Sequence, residues 1–296
     1  MKQLLILLNM PFIMSCNGQE KTDCIPIKGK SHIKIENITF YDFSGSKPER
    51  TYTFGEDKIN EYDKKENLIK ESIVLNIKEK DTAIVVNEFF YKNDVLIKNN
   101  GFSALRGGAK NKEWNYEYDA NNKRKKEIFK AIEDDKEILN KTCFYVDYSY
   151  EKNKEIQQIF RYNEDSKTFT FSHRQENTLN KNNKVTEEIY IDNENKIYTK
   201  IKFEYNSKNQ LVREFKNDIY TDGYEFFYEY NENGDLTKRT GISISDEIKK
   251  EIKLITYKYD CNNNWIEKTE ENNKISTDRK STRESKNLIK RTITYY

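Results

Sequence analysis

The sequence predicts an all-β protein, an extended and twisted antiparallel sheet built from successive β-hairpins. Aromatic residues make up 13% of the chain, with 21 Tyr and 16 Phe, and such residues favour pleated, half-buried surfaces. Only 3 Pro and 10 Gly are present, which is untypical of a linker or a low-complexity chain. The polar composition, 34% charged, would suggest disorder, but the net charge of +2 and the many rings favour a folded sheet with a thin core.

The first element is a short apolar segment behind Met1 and Lys2. Residues 4–14 are mostly apolar but fall well short of the ~20 residues that span a bilayer, and their length is typical of a signal-peptide core. The segment ends in Ile13-Met14-Ser15-Cys16, which resembles a bacterial lipobox. The resemblance implies diacylglycerol on the Cys16 thiol and cleavage before it. An ordinary secretory signal with another cleavage site, or an internal start, is the alternative.

These features predict three segments and a cellular location. Residues 1–15 are the predicted lipoprotein signal peptide, residues 16–40 an N-terminal tether, and residues 41–296 the hairpin-repeat domain, with the clearest repeats in 200–296. The predicted location is the bacterial cell envelope, as an outer-membrane lipoprotein on either face of that membrane. The membrane is then a partner through the lipid on Cys16.

A short pattern, which we call the hairpin unit, recurs along the rest of the chain. An aromatic or aliphatic residue is followed, six positions later, by Leu, Ile or Trp, and the residues between are typical of turns. A loop of this length joins two strands, so the two end residues are predicted to lie opposite each other at the hairpin base. The units are Tyr62 to Leu68, Tyr150 to Ile156, Ile191 to Ile197, Tyr205 to Leu211, Tyr230 to Leu236 and Tyr259 to Trp265, with degenerate copies from Tyr118 to Arg124 and Tyr162 to Thr168, and a shortened one that leads from Tyr91 to Leu96 and Ile97.

The flanks of these units alternate as strands do. In Tyr224–Tyr230 four aromatic residues fall on one parity, and the segments that end at Tyr205 and Tyr259 repeat this alternation. The copies at 228–239 and 257–268 resemble the YD repeats of Rhs-type proteins, and more closely the short YD-repeat lipoproteins of Bacteroidetes. The resemblance implies a β-repeat shape and specifies no activity. The chain lacks the long regular arrays and the toxin cargo of large Rhs shells.

Two segments depart from the pattern. Residues 125–141 contain good helix formers with Ile128, Ile132, Ile138 and Leu139, so one short helix is predicted there, with another hairpin tip as the alternative. Residues 101–112, with Gly101, Gly107 and Gly108, are predicted to form a loop.

Apart from Cys16, the cysteines are Cys24, Cys143 and Cys261. Export permits a disulfide, and no Cys-x-x-Cys spacing is present. Three cysteines allow one internal pair at most. Isolated thiols are the expectation, and a bridge between Cys143 and Cys261 is the alternative.

The sequence contains few patterns that indicate a catalytic, metal or phosphate-binding site. The only histidines are His32 and His173, too few for a histidine-based zinc site or triad. No Gly-rich phosphate loop is present, and no pattern selects a carboxylate pair. We therefore expect no catalytic residues, no metal and no cofactor. The basic run 123–126 is followed closely by acidic residues, so nucleic acid is not an expected partner.

Aromatic side chains are the remaining candidates for ligand contact. Trp114, Tyr224, Tyr228 and Trp265 could bind glycans or proteins; the alternative is that these rings are the core of a thin sheet. The sequence thus favours a membrane-anchored, non-enzymatic lipoprotein that binds an envelope protein or glycan, or has a structural role there. The alternative from another class is an envelope hydrolase or toxin-associated factor with an unrecognised carboxylate site.

Overall fold

A computed structural model describes residues 33–44, 47–50, 57–77, 80–106, 108–132, 141–218, 223–243, 249–276 and 282–296. These residues form nineteen strands of one sheet and a single 3-10 turn, Ala104–Arg106. The strands are β1 Ile33–Ser44, β2 Lys47–Arg50, β3 Lys58–Tyr62, β4 Leu68–Ile77, β5 Lys80–Lys92, β6 Val95–Ser103, β7 Ala109–Tyr118, β8 Arg124–Ala131, β9 Lys141–Glu151, β10 Lys154–Asn163, β11 Thr168–Leu179, β12 Val185–Asp192, β13 Ile197–Tyr205, β14 Leu211–Asp218, β15 Tyr224–Tyr230, β16 Leu236–Ser243, β17 Lys249–Tyr259, β18 Trp265–Ser276 and β19 Thr282–Tyr295.

The sheet is antiparallel throughout and closes on itself. From β3 to β19 each strand pairs with the next along the chain. β1 completes the ring, since one edge pairs with β19 and the other with β2 and then β3. At this seam Ile38 lies between Arg291 and Lys58. The predicted all-β sheet of successive antiparallel hairpins is confirmed, and the seam joins its two ends.

The closed sheet has two rims. Ile33, at the start of β1, is paired with Tyr295, near the end of the chain. The turns that follow β3, β5, β7, β9, β11, β13, β15 and β17 lie on this same side, which we call the terminal rim. The opposite side is the far rim. β1 begins inside the segment 16–40 that the sequence assigns to the tether, so the last residues of that segment belong to the sheet.

The two faces of the sheet differ in exposure. Cross-strand partners in the register share a face, which places Glu36, Val146, Thr199, Glu270 and Ile289 together on a face where all five are buried. We call this the inner face. Residues of the other parity in mid-strand include the exposed side chains of Phe227, Glu229, Leu254, Lys258 and Lys290, and this is the outer face.

The outer face carries charge around the ring. Ion pairs join Lys200 to Glu187 at 2.8 Å and Lys258 to Glu267 at 2.7 Å. Arg213 pairs with Glu225 on β15. Exposed pairs of this kind contribute about 0–1 kcal/mol each. Charged side chains are therefore spread over several outer strands, beside exposed hydrophobic residues such as Phe227 and Leu254.

The turn of the hairpin unit has one recurring geometry. In the unit from Tyr205, the Asn206 side chain accepts bonds from the backbone N–H groups of Lys208 and Gln210, at 3.0 Å each. Asn209 has a φ of 60°, the left-handed conformation that Asn and Gly tolerate best. The other residues with positive φ at this place in the turn are Glu66, Asn122, Asn183, Asn195, Gly234 and Asn263. The Asp or Asn after the aromatic residue is thus a turn cap.

The predicted hairpin pairing is confirmed where that turn occurs. The paired ends are Tyr62 with Leu68, Tyr118 with Arg124, Ile191 with Ile197, Tyr205 with Leu211, Tyr230 with Leu236 and Tyr259 with Trp265, and the shortened unit pairs Tyr91 with Leu96. A further unit pairs Leu179 with Val185; it is absent from the predicted set because it closes on Val and not on Leu, Ile or Trp.

Two predicted pairings are wrong. Tyr150 lies opposite Glu155, not Ile156, because the chain turns tightly at 152–153. Tyr162 lies opposite Phe169, not Thr168. The predicted helix and loop also give way to strand. Residues 124–131 form β8, while 133–140 lie outside the described residues, and in the predicted loop residues 101–103 and 109–112 belong to β6 and β7.

Candidate functional site

The inner face holds a ladder of tyrosine hydroxyl groups. Each hydroxyl donates to the backbone carbonyl of a residue about twenty positions earlier, one hairpin back, with O···O distances of 2.7–3.0 Å. In six hairpins the tyrosine therefore ties its own strand to the hairpin before it. The pairs are Tyr91 with Leu68, Tyr118 with Leu96, Tyr150 with Arg124, Tyr205 with Val185, Tyr230 with Leu211 and Tyr257 with Leu236.

Other inner tyrosines bind carboxylates. Tyr148 donates to Glu127 at 3.1 Å and Tyr228 donates to Glu214 at 2.8 Å. Burial raises the pKa of Tyr148 to about 12, and burial together with the Glu214 carboxylate raises that of Tyr228. These hydroxyl groups therefore stay protonated at neutral pH and act as hydrogen-bond donors to charged acceptors.

The best-satisfied carboxylate on this face is Glu36, beside the seam. It is 5% exposed and accepts bonds from Asn60 at 2.7 Å and Tyr62 at 2.6 Å. Arg291 Nε donates to its other oxygen at 2.6 Å. Burial raises the pKa of Glu36, but these hydrogen bonds and the Arg291 charge lower it further than burial raises it. The cluster joins β1, β3 and β19, and no sequence pattern pointed to it.

The structure places all four predicted aromatic residues on the inner face, on three different strands. Trp114 in β7 packs against Phe129, with ring centroids 4.7 Å apart, and lies under the Lys112 ammonium at 5.3 Å. Trp265 in β18 lies under the Arg291 guanidinium at 4.9 Å. Each tryptophan thus has a cation over its ring.

Tyr224 and Tyr228 are brought together on β15, with Phe226 between them. Phe226 lies 5.0 Å from Tyr224 and 6.5 Å from Tyr228 by ring centroids. Its ring covers Gly241, where an added Cβ would come within 2.5 Å of it, and the Arg239 guanidinium lies 4.0 Å from its centroid. Glycine is required at 241 so that this ring can lie close to the sheet.

The inner aromatic rings are half-buried. The buried hydrophobic residues of the described chain are Ile73, Ala104, Val146, Ile191, Ile255, Leu288 and Ile289, and none of them is aromatic. Trp114, Tyr224, Tyr228 and Trp265 all retain intermediate exposure. The inner face is therefore a polar surface lined with rings, carboxylates and cations, and not a dry core.

One inner carboxyl differs from the rest. Among the described residues, Glu188 is the one carboxyl group whose pKa is raised. Burial raises its pKa, the Tyr190 hydroxyl lowers it by donating a hydrogen bond at 3.1 Å, and the charge of Glu214 raises it. A carboxyl with a raised pKa can serve as a general acid.

The structure describes one of the two histidines. His32 lies outside the described residues, and His173 in β11 contacts Ser172 Oγ at 3.1 Å. Burial and the Arg161 charge lower the pKa of His173. The described ranges hold no group of three or more metal-ligating side chains. They also hold no helix with the length and apolar character needed to cross a bilayer.

The terminal rim has an open cavity of about 470 Å³ between two turns. It lies where the turn after β9 approaches the turn after β11. Its lining residues are Lys152, Asn153, Leu179, Asn180, Lys181 and Asn183. These lining residues include neither a carboxylate nor an aromatic ring, whereas the inner face has both.

Of the two described cysteines, Cys261 departs from the expectation of isolated thiols. Cys143 is present as a thiol, whereas Cys261 is part of a disulfide. The alternative bridge between Cys143 and Cys261 is therefore wrong, because the two sulfurs are in different states. Cys16, the predicted lipid attachment residue, and Cys24 lie outside the described residues.

No family model and no curated protein matches the chain. Among solved structures, it is similar to a porin-like protein from Bacteroides uniformis, with 9% identity, a TM-score of 0.43 and coverage of 88% of this chain and 98% of that one. It is also similar to a DUF3836 family protein from Bacteroides vulgatus, with 17% identity, a TM-score of 0.26 and coverage of 29% and 88%. A Bacteroides fragilis protein of unknown function has 16% identity, a TM-score of 0.31 and coverage of 46% and 94%. TM-scores and identities this low give no information about the activity of this chain.

Proposed function

We propose that the protein is an exported envelope lipoprotein of the YD-repeat type, whose closed sheet binds an extended glycan on its inner face without catalysing a reaction. The observation that supports this most is the half-burial of the inner aromatic rings. Sugar rings stack on exposed aromatic faces, and their hydroxyl groups bond to carboxylates and guanidinium groups, which is the chemistry that lines this face.

The fluorescence of the two tryptophans can report glycan binding. The chain has only two Trp, and both lie on the inner face. Titration of the full chain with glycan fractions from solubilised envelope should quench or shift the intrinsic fluorescence. Tyr224→Ala should weaken that response about tenfold, the equivalent of 1.4 kcal/mol. Phe227→Ala, on the outer face of the same strand and 37% exposed, is the matched control. No change with any fraction, together with capture of a protein in an envelope pulldown, would replace the glycan with a protein partner.

Anchoring is tested separately. Ionic side chains on the outer face are costly in hydrocarbon, by about 2–4 kcal/mol for Lys or Arg at the bilayer midplane, so the anchor we propose is the lipid on Cys16. Cys16→Ser should lose lipid labelling and membrane retention. A Ser15→Ala precursor, which keeps a small residue before the cysteine, is the control. Unchanged fractionation of Cys16→Ser would contradict the anchor.

The second candidate function is an envelope hydrolase, and Glu188 is the observation that favours it. Its raised pKa and the neighbouring Glu214 are compatible with an acid and a second carboxylate in glycoside hydrolysis. Hydrolysis of envelope glycans by the full chain, abolished in Glu188→Gln, would favour the enzyme. Binding that survives in Glu188→Gln, without product formation by either protein, would favour the binding module.

A further inference from the structure

We infer that Arg239 on the inner face binds a carboxylate of the glycan, so that the ligand is an acidic polysaccharide that contains uronic acids. This inference rests on the proposed function and specifies the class of glycan. Arg239 lies in β16 and is paired with Tyr228 of β15 and Lys253 of β17. Its side chain keeps intermediate exposure, so part of it is accessible to a ligand on this face.

The first step compares Arg239 with the other inner arginines that lie over aromatic rings in the described chain. Arg124 lies 4.8 Å from the centroid of a tyrosine ring and pairs with Glu127 at 3.3 Å. Arg291 lies 4.9 Å from the centroid of a tryptophan ring and binds Glu36. Arg239 lies 4.0 Å from the centroid of a phenylalanine ring but has no carboxylate partner within the described residues. Its donors are therefore available where those of the other two already bind an acid.

The inner carboxylates on the nearby strands bind other groups of the protein. The pairs are Glu214 with the Tyr228 hydroxyl at 2.8 Å, Glu251 with Lys274 at 3.9 Å and Glu270 with Lys253 at 2.6 Å. Arg239 would gain one of these acids only by breaking a contact that is already made. A carboxylate from outside the protein has no such cost.

The Phe226 ring holds the guanidinium group in place. This ring lies against the backbone at Gly241, where an added Cβ would come within 2.5 Å of it, and the guanidinium carbon of Arg239 lies 4.0 Å from the ring centroid. Stacking on a ring leaves the N–H groups at the edge of the guanidinium plane free. Two parallel N–H groups match the two oxygens of a carboxylate, which gives a strong, charge-assisted pair.

The surrounding charges favour a singly charged acid over a phosphate monoester. Glu214 lies opposite Phe226, and Glu251 lies opposite Gly241, one strand away from Arg239. Both carboxylates would repel the second negative charge of a phosphate. Beside Phe226, the ring of Tyr224 has its centroid 5.0 Å away and offers a face on which the sugar that carries the acid can stack.

The first experiment compares hexagalacturonate with its methyl ester, which keeps the sugars and removes the charges. Calorimetric titration of the full chain should give at least about tenfold tighter binding of the acid, because hydrogen bonds to a charged group are the stronger kind. Added salt should reduce this preference. Equal affinities, or binding of neither oligosaccharide by a chain that responds to envelope glycan fractions, would overturn the inference and leave the proposed function standing. A chain that binds none of these glycans would overturn both.

The second experiment assigns the preference to Arg239. Arg239→Gln should lower the affinity for hexagalacturonate to that for the ester and leave the affinity for the ester nearly unchanged. Arg213→Gln is the matched control, since Arg213 lies on the outer face, 5.9 Å from the Phe227 ring centroid, and should keep the full preference. A preference for the acid that survives in Arg239→Gln would overturn the assignment.

A third measurement uses the native chain, so it does not depend on the folding of a variant. Phenylglyoxal modifies accessible arginines, and peptide mass spectrometry locates the product. Arg239 should react faster than Arg291, whose side chain is 12% exposed and paired with Glu36. Hexagalacturonate should slow the modification of Arg239 at least about tenfold at saturating concentration, and the methyl ester should not. Modification of Arg239 at the same rate with and without hexagalacturonate would overturn the inference.

Discussion

At the scale of single residues, tyrosine has two tasks in this sheet that phenylalanine could not combine. Its ring faces an aliphatic or polar partner across the hairpin base, and its hydroxyl bonds the carbonyl of the preceding hairpin. Tyr230, for example, is paired with Leu236 across the hairpin base, and its hydroxyl donates to the Leu211 carbonyl at 2.8 Å. A hydrogen bond of this type contributes about 0.5–1.5 kcal/mol, and a carbonyl left without a donor costs about 1–3 kcal/mol.

The first prediction concerns that hydroxyl group. Tyr230→Phe should lower the free energy of unfolding by about 1–2 kcal/mol, because the Leu211 carbonyl loses its donor. Denaturant titration followed by circular dichroism measures the change. Tyr41→Phe is the control, since its ring lies under Lys290 at 5.3 Å and its hydroxyl makes no hydrogen bond within the described residues. Equal stability of both variants would show that the ladder contributes nothing.

The second prediction concerns the Glu36 cluster and pH. The folded pKa of Glu36 is lowered from its ordinary value of 4.5, so its stabilising effect is present above that value and is lost as pH falls through the folded pKa. Glu36→Gln should destabilise the protein by about 3 kcal/mol at neutral pH, because Arg291 is left buried without its charge partner.

Below pH 4.5 the difference in unfolding free energy between Glu36→Gln and the native protein should shrink. Denaturant titrations at a series of pH values measure it. Glu229→Gln, on the exposed outer face of β15, is the control and should show little difference at any pH. If this difference in unfolding free energy stays constant down to about pH 2.5, the pKa of Glu36 is not lowered in the folded protein.

At the scale of elements, the turn determines which hairpins the sequence can predict. Units with an Asp or Asn cap and a residue of positive φ three positions later pair as predicted. Tyr150 has no such cap, since Glu151 follows it, and the chain turns at 152–153. Tyr162 is followed by Asn163, which does cap the turn through Asp165 and Ser166, yet the pairing shifts by one residue.

The third prediction follows from this turn. Gly234 has a φ of 90°, a conformation that residues with a Cβ rarely adopt. Gly234→Ala should lower the unfolding free energy by about 1–2 kcal/mol, measured by thermal or denaturant unfolding. Glu232→Ala in the same turn is exposed and should change stability by less than about 0.5 kcal/mol. If both variants unfold alike, backbone strain is not the determinant at 234.

Other features could not be predicted because they depend on distant residues. Local alternation in the sequence located strands and turns, and the shared parity of the aromatic residues in Tyr224–Tyr230. The hydroxyl ladder links positions about twenty residues apart, and the Glu36–Arg291 pair links positions 255 residues apart. No local spacing contains that information, so the inner carboxylate cluster and the state of Cys261 emerged only in three dimensions.

At the scale of the whole molecule, closure removes the open edges of the sheet. An open sheet presents unpaired N–H and C=O groups at its first and last strands, which is a route to aggregation. Here β19 lies between β18 and β1 and pairs with both. The Tyr296 hydroxyl also donates to the Tyr62 carbonyl at 2.5 Å, which extends the seam to the end of the chain.

The last prediction tests closure as a requirement for a monomer. A chain that ends at Ser276 lacks β19, so β1 and β18 each have a free edge and Glu36 loses Arg291. We expect this chain to form oligomers or aggregates, as measured by size-exclusion chromatography with light scattering, and to bind thioflavin T. Removal of Tyr296 alone leaves both β19 ladders intact and is the matched control. If the chain without β19 stays monomeric with native-like circular dichroism, the sheet tolerates an opened seam, and closure is not needed to protect its edges.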